Sequence, residues 1–258
     1  MQTLNYEGLQ LTNGVPQKVT DALVVEAALQ ININNEPYTV VMRTPGDDFE
    51  LIRGLLYAED IYKGKENLTI EVVEKRDNGF SILNISIAKK QLGKGYLNKR
   101  TLLSVSSCGI CGKQKLEDIN YSGSKLTNNM AFDITRLEAM FAEMKMKQET
   151  FEISGGSHAA AIFNKEYEII SLKEDIGRHN AVDKVVGELL NESKLKDSFV
   201  MLVSGRVSYE IISKAFIAKI PIVVAVSACS TLAVDFAKEF GICLIGFSRG
   251  NKATIYAE

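Results

Sequence analysis

The chain has 258 residues, 46% of them apolar and 24% charged, with a formal net charge of −2. That composition can fill one large hydrophobic core or two small ones. It excludes a global basic field for wrapping nucleic acid and a polybasic membrane signal, so any anion site must be local. Residues 1–6 lack a basic start followed by an apolar core, and no stretch approaches the roughly 18 uninterrupted apolar residues of a spanning helix. No membrane or nucleic-acid partner is therefore expected, and the default location is cytoplasmic.

In chain order, Leu23 to Ile33 and Tyr38 to Met42 alternate around residues 34–37 and predict a hairpin. Residues 44–48 supply capping oxygens ahead of Leu51, Ile52, Leu55 and Leu56, whose spacing predicts a helix ending near Ala58. Strands follow at 68–74 and 80–88 around the turn Asp77, Asn78, Gly79. Leu137, Met140, Phe141 and Met144 give residues 134–146 helical spacing. Short apolar strands then alternate with helices, a pattern of α/β architecture. The strands are expected at 158–163, 167–172, 199–204, 222–227, 242–247 and 253–257, and the helices around Val182 to Leu189, Ile211 to Phe216 and Leu232 to Phe240. The chain thus reads as α/β, α+β overall, with an N-terminal α+β subdomain over 1–128 and an α/β domain over 129–258.

Cys108 and Cys111 stand in a run of small and hydroxylated residues, Ser106 to Gly112, with a glycine after each thiol. Glycine there permits positive φ and the close approach of bulky reactants, so the loop, about residues 104–125, can present sulfur to another molecule. A metal knuckle or a redox dithiol uses the same spacing. Cys229 and Cys243 lie in apolar or small-residue runs and read as packing residues.

Four polar clusters fall where strands of the second half should end: Ser154 to His158, Glu174 to Asn180, Ser204 to Glu210, and Phe247 to Lys252. The second opens onto a helix whose first amides could hold an anion. The third follows a strand and precedes a helix, where α/β proteins place ligands, and its Arg206 suits phosphate. The fourth is a basic turn with an aromatic ahead of it. Together they suggest a phosphorylated or nucleotide-like ligand at one rim.

Cys108, Cys111, His158 and His179 could in principle ligate zinc. A zinc deaminase, however, needs a ligand-x-Glu segment upstream of Pro-Cys-x-x-Cys. Here both histidines follow the cysteines, no proline precedes Cys108, and neither histidine has a glutamate two residues on. A thioredoxin-like unit would place the dithiol between its first strand and helix, whereas this pair lies mid-chain in a polar loop.

Six strings in order closely resemble the FdhD family of formate dehydrogenase accessory proteins: Thr44 to Asp47 with Gly54 to Ile61, Cys108 to Gly112, Gly155 to Ala160, Glu174 to Lys184, Ser204 to Glu210, and Gly246 to Lys252. The resemblance implies a cytidine-deaminase-like core without zinc, usually in a homodimer. It implies a sulfurtransferase-type carrier rather than a conventional turnover enzyme. A cysteine desulfurase would load a persulfide on Cys108, with Cys111 as supporting or resolving thiol. The sulfur would pass to the metal, molybdenum or tungsten, of the bis-molybdopterin guanine dinucleotide cofactor before insertion into formate dehydrogenase. By position the cofactor contact maps to Phe247, Ser248, Arg249, Gly250, Asn251 and Lys252, with Arg206, Arg178 and His179 completing it, and GDP-like nucleotides would mimic the ligand. No metal ligands are implied. Cys229 stands where a small residue is more usual. The alternatives are a chaperone that shelters the cofactor without transferring sulfur and a zinc-dependent deaminase-like hydrolase.

Overall fold

The structure, a computed structural model, describes residues 2–97, 124–126, 132–250 and 252–258. Cys108, Cys111, Asn251 and the boundary expected at Asn128 lie outside the described residues. Among those described, no helix is long and apolar enough to cross a membrane.

The chain begins with an antiparallel ribbon, β1 (Thr3–Thr12) and β2 (Val15–Val24), turned at Asn13 and Gly14, both at positive φ. This ribbon was not expected: Leu23 and Val24 end β2 instead of opening the next strand. Its side chains are mostly exposed on both faces, with Leu9, Leu11 and Val15 each more than 60% accessible. No buried face therefore imposes a period-2 pattern on the sequence.

β3 (Ala27–Ile33) and β4 (Glu36–Arg43) form the expected hairpin. Its turn is only Asn34 and Asn35, both left-handed, as two-residue hairpins favour. Pro37 belongs to β4, which tolerates it as an edge strand of the sheet β4-β3-β6-β5. β5 (Thr69–Lys75) and β6 (Ser81–Ser86) complete that sheet, with β6 parallel to β3. Helix α1 (Asp48–Ala58) buries Leu51, Ile52, Leu55 and Leu56 with Leu29, Ile31, Leu83 and Ile85 of this sheet. The expected capping oxygens are used otherwise: Asp47 makes no side-chain cap and instead pairs with Lys173 at 3.0 Å, and Asp48 pairs with buried Arg43 at 2.8 Å.

After a 3-10 turn at Ile134–Arg136 come α2 (Leu137–Met146) and α3 (Glu149–Ser154). With six residues, α3 is too short to leave a periodic trace and was missed. A six-stranded sheet follows from β7 (His158–Phe163), β8 (Ile169–Asp175), β9 (Val200–Val203), β10 (Ile222–Ala225), β11 (Cys243–Arg249) and β12 (Lys252–Ala257), in the order β12-β11-β10-β9-β7-β8. β9, β10 and β11 are parallel, and β7 is antiparallel to both its neighbours. One face, through Ala160, Ile162, Met201, Val203 and Val223, packs on α4 (Arg178–Asn191), α5 (Tyr209–Ile217) and α6 (Thr231–Phe240). The other, through Ala159, Ala161, Val200, Leu202 and Val224, packs on Leu137, Met140 and Met144 of α2. Covering both faces explains why the parallel strands read as unbroken apolar runs. The whole is a mixed α/β fold, the class expected.

Helix α1 lies between the two sheets, and its backbone meets that of α4. A Cβ on Gly54 would lie 1.9 Å from the Asp183 carbonyl oxygen, and one on Gly187 would lie 1.8 Å from that of Glu50. Only glycine at both positions permits the crossing. Gly54→Ala and Gly187→Ala are each expected to destabilise the fold by about 2–3 kcal/mol, read as a lowered urea midpoint, because a methyl placed against backbone has nowhere to relax.

Candidate functional site

The sheet topology gathers the four polar clusters. The parallel strands β9, β10 and β11 all end at one rim. β7 runs the opposite way, so His158 at its start lies there too, and β8 ends there with Asp175 opposite His158. Ligands of open α/β sheets bind at this kind of edge.

The beginning of α4 is fixed on this rim by buried charges. Asp175 is wholly buried, and its Oδ1 accepts from Gly177 N and Asn180 Nδ2, each at 2.8 Å. Its Oδ2 accepts from Thr44 N at 3.1 Å and pairs with Lys184 Nζ at 2.8 Å. Lys184 also donates to the carbonyl of Thr44, and the Thr44 hydroxyl accepts from Ile176 N, each at 3.0 Å. Glu174 faces the other way and accepts from Thr150 N and Phe151 N at the start of α3 and from the Ser157 hydroxyl. Much of the string Glu174 to Lys184 is therefore structural.

What remains of that string faces the rim. Arg178 and His179 open α4, and Arg178 Nε and His179 Nδ1 are buried atoms without a hydrogen-bond partner. Gly205 lets two side chains come together: a Cβ there would lie 3.3 Å from His158 Nδ1 and 3.4 Å from Arg178 Cδ. Burial, with Arg178, His179 and Arg206 adding to it, pushes the His158 pKa below its ordinary value. Arg206 itself is exposed. His179 Nε2 lies 3.3 Å from Ser208 Oγ and 3.7 Å from Glu210, and the Ser208 hydroxyl donates to Glu210 at 2.5 Å. Hydrogen bonding from His179 first, then from Ser208, holds the Glu210 carboxyl down to about 2.

The fourth cluster occupies the neighbouring strand ends. Phe247, at φ 50°, is half-exposed and bonds through its N–H to the Ser227 carbonyl, while Arg249 Nε donates to the Val226 carbonyl at 3.0 Å. Ser248, Gly250 and Lys252 line a cavity of about 360 Å³ with Thr135 of the 3-10 turn and Glu138 at the start of α2. Cys229 packs inside this edge, its Sγ 2.8 Å from where a Cβ on Gly246 would stand. Burial pushes the thiols of Cys229 and Cys243 up to about 11.

The predicted cofactor residues thus fall into two neighbouring groups. Arg178, His179 and Arg206 cluster around His158, where two guanidinium groups and the N-terminus of a 14-residue helix suit an anion. Of the described residues of the Phe247 to Lys252 turn, Phe247, Ser248 and Arg249 stand on β11, Lys252 opens β12, and Gly250 lies in the turn between them. Sequence reasoning assigned no role to Ser208 or Glu210 and weighed His158 only as a zinc ligand. The signal available was their place inside strings already singled out.

The sequence profile of the FdhD/NarQ family matches residues 24–258, and the chain belongs to that family. A relative from Streptomyces avermitilis, named sulfur carrier protein FdhD, is 36% identical over 96% of this chain and 92% of its own. Relatives of the same name from Mycobacterium tuberculosis (39%, over 92% of this chain and 90% of theirs) and Saccharolobus solfataricus (40%, over 93% and 90%) are similarly close. A solved structure of a candidate formate dehydrogenase accessory protein from Desulfotalea psychrophila superposes with a TM-score of 0.77, covering 100% of this chain and 98% of that one. At 19% identity that likeness is one of fold.

The depressed pKa of His158 has a defined signature. Its folded value lies below the ordinary 6.5, so the unfolded chain takes up a proton there that the folded imidazole refuses. Stability should therefore decline as pH falls through about 6.5 and stop declining once folded His158 also protonates. An NMR titration should place the His158 midpoint below 6.5, and Arg206→Ala should raise it by removing a nearby cation.

Proposed function

We propose that this chain is a sulfur carrier serving formate dehydrogenase. The Cys108 thiolate attacks the terminal sulfur of a cysteine desulfurase persulfide, forming a Cys108 persulfide and releasing the desulfurase thiolate. Attack by the Cys111 thiolate on Cys108 Sγ then expels hydrosulfide toward the metal of a bis-molybdopterin guanine dinucleotide cofactor, molybdenum or tungsten. The Cys108–Cys111 disulfide left behind carries the two electrons' worth of oxidation and is reset by a cellular thiol reductant. Cofactor phosphates pair with Arg178 and Arg206 at the α4 N-terminus, and with Arg249 and Lys252. Phe247 covers a ring.

The observation that carries this reading is the near full-length similarity to relatives named sulfur carrier proteins, in a chain whose sequence holds the Cys-x-x-Cys loop. The rim supports it with a cationic, helix-capped edge for an anionic client. The strand order, with three parallel strands flanked by the antiparallel β7 and β12, supports a cytidine-deaminase-like core. A cytoplasmic homodimer belongs to the same proposal, and the exposed apolar side chains of the β1–β2 ribbon offer surface for it.

Incubation with a cysteine desulfurase and cysteine is expected to add a reducible sulfur to the peptide holding Cys108 and Cys111, seen by mass spectrometry, and Cys108→Ser should abolish it. If Cys108→Ser and Cys111→Ser proteins take up no sulfur yet still activate formate dehydrogenase, the protein shelters the cofactor instead.

A further inference from the structure

The Ser208 hydroxyl has one proton, and it is committed. It donates to Glu210 Oε2 at 2.5 Å, and that carboxylate, ionised at neutral pH, can only accept. Toward His179 Nε2, 3.3 Å away, the same oxygen can therefore only accept, which places a proton on Nε2. The neutral ring then carries its lone pair on Nδ1, the atom that is buried and unpartnered. His179 is only 8% exposed and stands in the first turn of α4.

Ser208 forgoes its local role to do this. It is the N-cap of α5, a position where serine ordinarily accepts from an N–H of the first turn, yet it makes no such bond. Ser230, the N-cap of α6 after the neighbouring strand, does accept from Ala233 N at 3.2 Å. Of these two serine N-caps, the one without the capping bond is the one whose hydroxyl lies between Glu210 and His179. His158 on the rim and Asp183 on α4 couple electrostatically to this ring, and Arg178, Arg206 and Asp175 act on His158 beside it.

We infer that Ser208 and Glu210 are positioning residues that hold His179 as its Nε2–H tautomer, so that Nδ1 accepts a hydrogen bond from a ring N–H of a lactam-type heterocycle in the bound cofactor. The inference rests on the cofactor-binding reading above and deepens it. The ligand it fits joins negative charge, for Arg178 and Arg206, to a heterocyclic donor. Burial of Nδ1 means that a rim side chain must shift as the ligand enters.

The chain has only two histidines, so long-range 1H–15N correlation resolves both rings, with His158→Gln assigning them. GDP serves as the heterocycle-bearing probe and inorganic pyrophosphate as the control lacking a ring. The expected result is a bare Nδ1 in free His179 whose signal moves on GDP saturation and stays in place with pyrophosphate. Ser208→Ala should raise the Nδ1–H population and weaken GDP binding about tenfold, the worth of one well-placed hydrogen bond, and Ser208→Thr should restore both. An Nδ1–H tautomer in the free protein, GDP binding that leaves Nδ1 unmoved, or an equal shift with pyrophosphate would each overturn the inference. Absence of any GDP binding would overturn the cofactor reading with it, whereas failure of sulfur loading at Cys108 would leave the relay standing.

Discussion

Asp175 and Lys184 form an ion pair with no solvent access, joining the end of β8 to the second turn of α4 and, through Thr44, to the chain segment ahead of α1. Two charges so buried are costly unless their remaining hydrogen-bonding capacity is met. Here it is met: the carboxylate has four partners and the ammonium two carbonyl oxygens besides the carboxylate. Removing either member would leave the other charge stranded, a loss of about 3–5 kcal/mol. An apolar pair of similar volume would fill the space without specifying rotation or register. The charged pair specifies both, because each bond has a direction, and the α4 N-terminus with Arg178 and His179 can point only where these bonds allow.

The glycine crossing is the other half of that constraint. Gly54 and Gly187 bring α1 and α4 into backbone contact, and Asp183, whose carbonyl faces Gly54, sends its carboxylate to Lys214 on α5. The small sheet, α1, α4 and α5 are thereby registered through one helix. The rim inherits this rigidity. Its cations are held by a framework that spans both halves of the chain, which is how a protein of net charge −2 maintains a local cationic edge.

What the sequence disclosed follows from the same physics. Strands β7 to β11 and helices α4 to α6 were legible because each places its apolar residues against a continuous core, where periodicity is enforced. The β1–β2 ribbon has no buried face, and its turn residues, Asn13 and Gly14, were the only clue. Glu174, Asp175, Asn180 and Lys184 read as part of a polar ligand-binding string because their principal partners lie elsewhere; the partner of Asp175 at Thr44 is 131 residues away. Arg206 stood out from the chemistry of its cluster, whereas Arg178 and His179 entered as cofactor contacts with the family resemblance. Ser208 and Glu210 did neither, because a serine before an acidic residue at a helix start reads as a cap.

Burial also bears on how a chain with four cysteines could keep transferable sulfur in one place. A thiol pushed up to about 11, as at Cys229 and Cys243, is ionised to roughly one part in ten thousand at pH 7, against a few per cent for an unperturbed thiol near 8.5. Since the thiolate is the attacking species, that difference cuts the attacking population at these positions about three-hundredfold before access is considered. Cys229 stands directly beneath the Phe247 edge, packed on Gly246, where a reactive thiol would compete for any sulfur passing over the rim. Proximity therefore does not select the acceptor. Desolvation silences Cys229 and Cys243, which leaves the acceptor role proposed above to Cys108 and Cys111.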